Sequence, residues 1–204
     1  MVAGQKLKAA DGYEVMLFPL PYMFISQGEG ESYSHAGTYN IDFLGYGAMG
    51  RIFNAPYYAP CTCTCVAIIS GADNIRVFQS VGKVHTPKGL EIVTFLTMHD
   101  NTPIAFLNSR FNQGDLLGHT GTAGGVTGDH VHFNTANGGY QGYEHVPPDN
   151  QGQLVNSEHI YDICYVNDTE LTEDYGYPWQ YYSGKTFRKS NFPWVLYANK
   201  FRNR

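Results

Sequence analysis

A mainly β fold is predicted by three features of this 204-residue chain. Aromatic side chains are abundant, with 16 Tyr and 12 Phe, and such rings favour pleated, half-buried surfaces. There are 23 glycines, and only 15% of the residues are charged. No stretch shows sustained helical amphipathicity, and runs of Ala, Leu, Glu and Lys are absent. The length suits one domain, or one domain with an elaboration, and is enough to bury a core without disulfide staples.

Taken in order, residues 1–19 read as an N-terminal arm. Tyr22-Met23-Phe24-Ile25-Ser26 reads as a strand, and Gly28-Glu29-Gly30-Glu31-Ser32 as a loop. Residues 44–60 are loop-like, with Gly45, Gly47, Gly50, Pro56 and Pro60. Thr62 to Ser70 is a strand of β-branched and cysteine residues, Gly71-Ala72-Asp73-Asn74 a hairpin turn, and Ile75 to Val81 the return strand. Thr86-Pro87-Lys88-Gly89 turns the chain again, with His85 before it reading as a surface histidine. Leu90 to His99 is a third strand. His145 to Gly152 reads as an irregular loop, and Ile160 to Val166 as an apolar strand or short helix. An aromatic-rich stretch follows, with Tyr175, Tyr177, Trp179, Tyr181, Tyr182, Phe187, Phe192, Trp194, Tyr197 and Phe201. These rings either cover the back of the sheet or stack on sugars and peptides of a cell wall. There are no internal repeats.

Cys61, Cys63 and Cys65 alternate, so they share one strand face. The outer pair is then ~13 Å apart, too far for one tetrahedral ion with Zn–S bonds of ~2.3 Å. They read as small buried residues of a core strand. A disulfide with Cys164 stays open at this point.

A formal net charge of -5 argues against a nucleic-acid binder driven by phosphate contacts. No stretch of about 18 apolar residues occurs, so no membrane span is expected. The apolar run from Met16 to Ile25 is broken by Pro19 and Pro21 and follows Glu14 rather than a basic cluster, so no signal peptide is expected. An exported role would then need a virion, host lysis, or a longer parent chain.

The most informative stretch runs from Gly118 to Phe133. Five glycines fall within eleven residues, Gly118 to Gly128, which marks a backbone that turns sharply or lies against something else. It ends in His130-Val131-His132-Phe133, the start of a strand. Residues i and i+2 face one side there, ~6.6 Å apart, so both imidazoles enter the space that the glycines leave open. That suggests a metal site, a catalytic site or both. Upstream, Ser34-His35-Ala36-Gly37-Thr38-Tyr39-Asn40-Ile41-Asp42-Phe43 offers a nitrogen and an oxygen donor around a glycine. No H-E-x-x-H is present, so a glutamate base on a helix is not expected.

The glycine run resembles the closing motif of the lysostaphin-like M23 zinc metallopeptidases, G-x-x-G-x-x-G-x-x-x-G-x-H-[LV]-H-F, at Gly118, Gly121, Gly124, Gly128, His130, His132 and Phe133. The stretch from His35 to Phe43 resembles the family's first motif, but with six residues between His and Asp where three are usual. Phage-encoded members often show this wider form. Ala59-Pro60 resembles the dipeptide before the family's central strand. Asn112 to Gly118 resembles the lead-in to the closing motif. At the middle motif only the strand-end His99 is kept.

The resemblance covers roughly residues 20–136. It implies an antiparallel sheet with a loop-walled groove, followed by a C-terminal extension over 137–204 that packs on the core or binds the wall. It implies Zn²⁺ held by His35, Asp42 and His132, with His99 and His130 as the catalytic pair in roles left open between them. The substrate so implied is the cross-bridge or stem peptide of bacterial peptidoglycan. A phage lysin or tail-associated enzyme is expected, acting outside the cell, on the virion or after host lysis, with other tail proteins as further partners. A structural tail protein, or a non-catalytic module that keeps the fold and binds peptidoglycan, is the alternative.

Overall fold

Period-2 alternation of apolar residues builds one large, mostly antiparallel sheet. The computed structural model describes residues 1–31, 34–147 and 151–183. In sheet order the strands are Arg110–Phe111, Cys63–Ile69, Ile75–Ser80, Val93–Met98, Val131–Asn137, Ile41–Phe43, Tyr22–Gln27 and Glu170–Glu173. Ser157–Glu158 also pairs with Val131–Asn137. Within this sheet only Glu170–Glu173 runs parallel to its neighbour. The expected mainly β, antiparallel architecture is what the chain adopts.

The two faces differ. One carries Phe43, Phe78, Phe95 and Phe133 into the main core. Phe78 and Phe95 are opposite one another in register and stack at 5.1 Å, and Phe95 stacks on Phe133 at 5.7 Å. Phe18 and Trp179 close over them, 5.7 Å apart. Each ring so buried contributes roughly 1.5–3 kcal/mol. The opposite face presents Asp42 and His132, with a smaller apolar cluster of Val77, Leu96, Met98, Ala136 and Leu154 beside them.

Several local readings change. The stretch from Leu90 to His99 splits into Gly89–Glu91 and Val93–Met98, because its first part pairs with Val84–Thr86 rather than with the main sheet. The loop-like stretch 44–60 contains a small hairpin, Tyr46–Gly47 with Gly50–Arg51, and the strand Pro56–Tyr58, which pairs with Leu116–His119. Part of the irregular loop after Tyr143 is also a hairpin, Tyr143–Val146 with Gln151–Leu154. Ile160–Ile163 is a single helical turn.

Residues 1–19 are not loose: Met16, Leu17 and Phe18 are buried, and Glu14–Val15 pairs with Val84–Thr86. His85 bonds Asp11 at 2.8 Å, away from the sheet's polar face. All four cysteines are buried free thiols in the main core, and burial pushes the pKa of each up. In the aromatic stretch Trp179 is fully buried, and Tyr177 and Tyr181 pack against the core. Phe187, Phe192, Trp194, Tyr197 and Phe201 lie outside the described residues.

Candidate metal centre

Strand register brings the first two groups together. His132 and Asp42 are opposite partners on adjacent antiparallel strands, and His132 Nδ1 lies 2.9 Å from Asp42 Oδ1. His35 arrives from a loop, its Nε2 3.2 Å from the same oxygen. The wide spacing to Asp42 is absorbed by a tight turn: the Thr38 amide and hydroxyl both donate to the His35 carbonyl, at 3.0 Å each. The His35 Nδ1–H donates to the Gly28 carbonyl at 2.9 Å, which turns the Nε2 lone pair toward Asp42.

These three residues offer one donor atom each within 4.8 Å of one another, all buried. Around a tetrahedral ion with bonds of ~2.0–2.1 Å, neighbouring donors lie roughly 3.3 Å apart, so the spacing fits Zn²⁺. Among the described residues, Nε2 of His35 and Nε2 of His132 are buried with no hydrogen-bond partner. Such atoms are costly to leave unsatisfied, and a cation bound here would satisfy the His35 lone pair. Burial pushes the Asp42 carboxyl up, but the hydrogen bonds and charges of His132 and His35 outweigh it, and its pKa lies well below the carboxylate range. Burial lowers the His132 pKa, with Asp42 opposing. Both effects keep donors in their metal-binding forms.

The other two histidines stand beside this group. His130 is held by its Nδ1–H, which donates to the Gly128 carbonyl at 2.8 Å, and its Nε2 lies 3.4 Å from Asp42 Oδ2. His99 sits at its strand end with φ of 77°. Its Nδ1–H donates to the Ala123 carbonyl at 2.8 Å. The His99 and His130 rings are 4.7 Å apart. Burial, then the charges of His132 and His130, lower the His99 pKa to about 4.

The glycines explain this approach. Gly121 exchanges backbone hydrogen bonds with His130, and a Cβ there would lie 2.2 Å from the His99 carbonyl oxygen. Gly124 has φ of 87° and packs against Asp73. So the glycine run is a strap that lies against His99, His130 and Asp73.

All five residues singled out from the sequence, His35, Asp42, His99, His130 and His132, thus lie together. Four of them, all but the fully buried His35, line an open cleft of about 490 Å³. Gly125, Val126 and Thr127 of the glycine run also line it, while other walls were not foreseen from the sequence. Asn40 and Asp73 line it, as do Tyr143, His145 and Gln151 from the 143–154 hairpin. Sequence reasoning also missed Asp129, which accepts from the Thr120 hydroxyl at 2.5 Å and from the Asn54 amide at 3.1 Å and so anchors the residue before His130. An aspartate at that place was a signal that could have been read.

Solved structures similar to this fold include a zinc-containing peptidase and lysostaphin. One is a zinc-containing peptidase from Vibrio cholerae, 17% identical, covering 65% of this chain and 43% of that one, TM-score 0.45. Another is the catalytic domain of lysostaphin from Staphylococcus simulans, 17% identical, covering 58% and 84%, TM-score 0.44. A third is a catalytic-domain mutant of a prophage-encoded M23 protein from Enterococcus faecalis, 17% identical, covering 70% and 93%, TM-score 0.45. In sequence, the chain is 35% identical over 181 residues to Morphogenesis protein 1 of Bacillus phage B103, which accounts for 85% of this chain. The chain spans about half of that relative, 46% of its length. No family model matches.

Proposed function

We propose that this chain is a zinc-dependent endopeptidase that hydrolyses peptide bonds of bacterial peptidoglycan, in cross-bridges or stem peptides, for a phage during lysis or entry. The observation that carries this reading is the meeting of His35, Asp42 and His132 beside the His99–His130 pair at one open cleft. The motif resemblance and the phage relative support it.

In this reading His35, Asp42 and His132 hold the ion. Bound Zn²⁺ supplies Lewis acidity at the scissile carbonyl and lowers the pKa of water. His99 and His130 each give their Nδ1–H to a backbone carbonyl, which leaves Nε2 for the chemistry. One Nε2 takes the water proton as the water oxygen bonds to the carbonyl carbon. It passes that proton to the departing amide nitrogen as the C–N bond breaks. The other, when protonated at Nε2, donates to the carbonyl oxygen as it gains charge.

The test is bound metal and clearing of purified cell walls, for wild type and His132→Ala. About one zinc per chain is expected in wild type, with both metal and clearing lost in the variant. Full zinc occupancy in His132→Ala would sink the ligand assignment.

A part in the phage particle is a second reading, favoured by the relative's name, Morphogenesis protein 1. Co-purification of the chain with intact virions would support it, and its absence from them would count against it.

A further inference from the structure

Beyond the five residues above, the cleft carries a carboxylate that the chain itself leaves unused. Asp73, on the turn between Cys63–Ile69 and Ile75–Ser80, lines the cleft with its side chain 44% exposed. Among the described residues its carboxylate accepts no close hydrogen bond. Its nearest charged-type neighbour is His99 Nδ1, at 3.8 Å. That is too long for a hydrogen bond, and the Nδ1–H is already given to the Ala123 carbonyl at 2.8 Å. The carboxylate is therefore not needed to hold the imidazole.

Asn40 stands nearby, its amide oxygen closed to solvent. It is 1% exposed, its amide nitrogen donates to the Gly152 carbonyl at 3.0 Å, and its Oδ1 has no partner among the described residues. It lines the same cleft. None of the described lining residues is a lysine or arginine, so apart from the histidines and the Zn²⁺ of the proposed function no cation faces the Asp73 carboxylate. A part-exposed carboxylate with no lysine or arginine beside it is complementary to a positively charged donor on a ligand.

We infer that Asp73 is a specificity-determining residue that receives a primary ammonium group of the substrate peptide near the scissile bond. This rests on the peptidase reading and refines its substrate to a peptide that carries a free amine. Tyr143, on the hairpin, feels the Asp73 charge after the effect of its own burial, and its phenol is pushed up to about 12. The ammonium would thus be received between a turn of the main sheet and the hairpin.

The experiment uses one cross-linked stem-peptide dimer with a free primary amine and the same dimer N-acetylated. Zinc-loaded wild type and Asp73→Asn are compared on both for kcat/KM, and calorimetry reads binding of the pair to each metal-free chain. Wild type is expected to prefer the free amine about tenfold, the size of a part-exposed charge-assisted hydrogen bond. Asp73→Asn should lose that preference through the free-amine peptide alone, with zinc content and melting temperature unchanged. Cutting of both peptides by wild type with no preference in rate or binding would overturn the inference and leave the peptidase reading standing. An equal fall on both peptides with a shifted pH profile would overturn it too, since Asp73 would then position His99. If wild type cuts neither peptide, the peptidase reading fails, and calorimetry alone decides whether Asp73 selects an amine.

Discussion

The two halves of the site are built by different means. Asp42 and His132 are set by strand pairing, each opposite the other on adjacent strands. His35 and His99 are set by loops, and each needs a backbone carbonyl to hold its ring, Gly28 for one and Ala123 for the other. The register half has its geometry as soon as the sheet forms. The loop half has it only when its hydrogen bonds are made, so it is where geometry can be lost without unfolding.

Breaking the register half should have the largest effect. Asp42 touches His35, His130 and His132, so Asp42→Asn alters a proposed ligand and the common partner of three imidazoles. A fall of at least about a hundredfold in zinc affinity is expected, since losing even an outer-shell partner costs 10–100-fold. A competition titration with a metallochromic chelator measures it. Next comes His130→Ala. Zinc should stay and wall clearing should fall by roughly 10²–10⁴, the range for losing a general acid–base group. Loss of zinc in this variant would exchange the roles given to His130 and His132.

Smaller effects test the loop half. Gly121→Ala puts a Cβ against the His99 carbonyl oxygen and should destabilise the fold by about 1–3 kcal/mol, as overpacking does, read by denaturant unfolding. Acid should act in a defined direction on the metal-free chain. His99 has its pKa lowered by burial to about 4 in the fold, against about 6.5 for a free imidazole. The unfolded chain therefore binds this proton first, and stability is lost as pH falls from about 6.5 toward 4. His132, lowered by burial, acts in the same direction. A flat melting temperature over that interval would refute this. Asp129→Ala is the mildest: it strips an acceptor from Thr120 and Asn54 and should slow wall clearing severalfold with zinc unchanged.

What was legible in the sequence follows the same division. His130, His132 and the glycine spacing were readable because local geometry dictates them: a strand's two-residue period and a close backbone approach. Asp42 and His35 were readable in type, but why six intervening residues still bring them together needed the turn at Thr38. The place of Asp73 in the cleft and the 143–154 hairpin were not readable. They enter the cleft through contacts between segments far apart in the chain, and no local pattern encodes those. The sheet itself was expected, yet the short strands at 46–58 were missed, since glycine and proline mask the pairing that tertiary contacts impose.

The register between Val131–Asn137 and Ile41–Phe43 has one further consequence. The strand that offers His132 to one side offers Val131 and Phe133 to the other, and the paired strand does the same with Asp42 between Ile41 and Phe43. A slip by one residue would push an imidazole and a carboxylate into the oily side and leave phenylalanine rings facing the cleft. Misaligned pairings are thus penalised before any ion arrives, and the core proofreads the donor set.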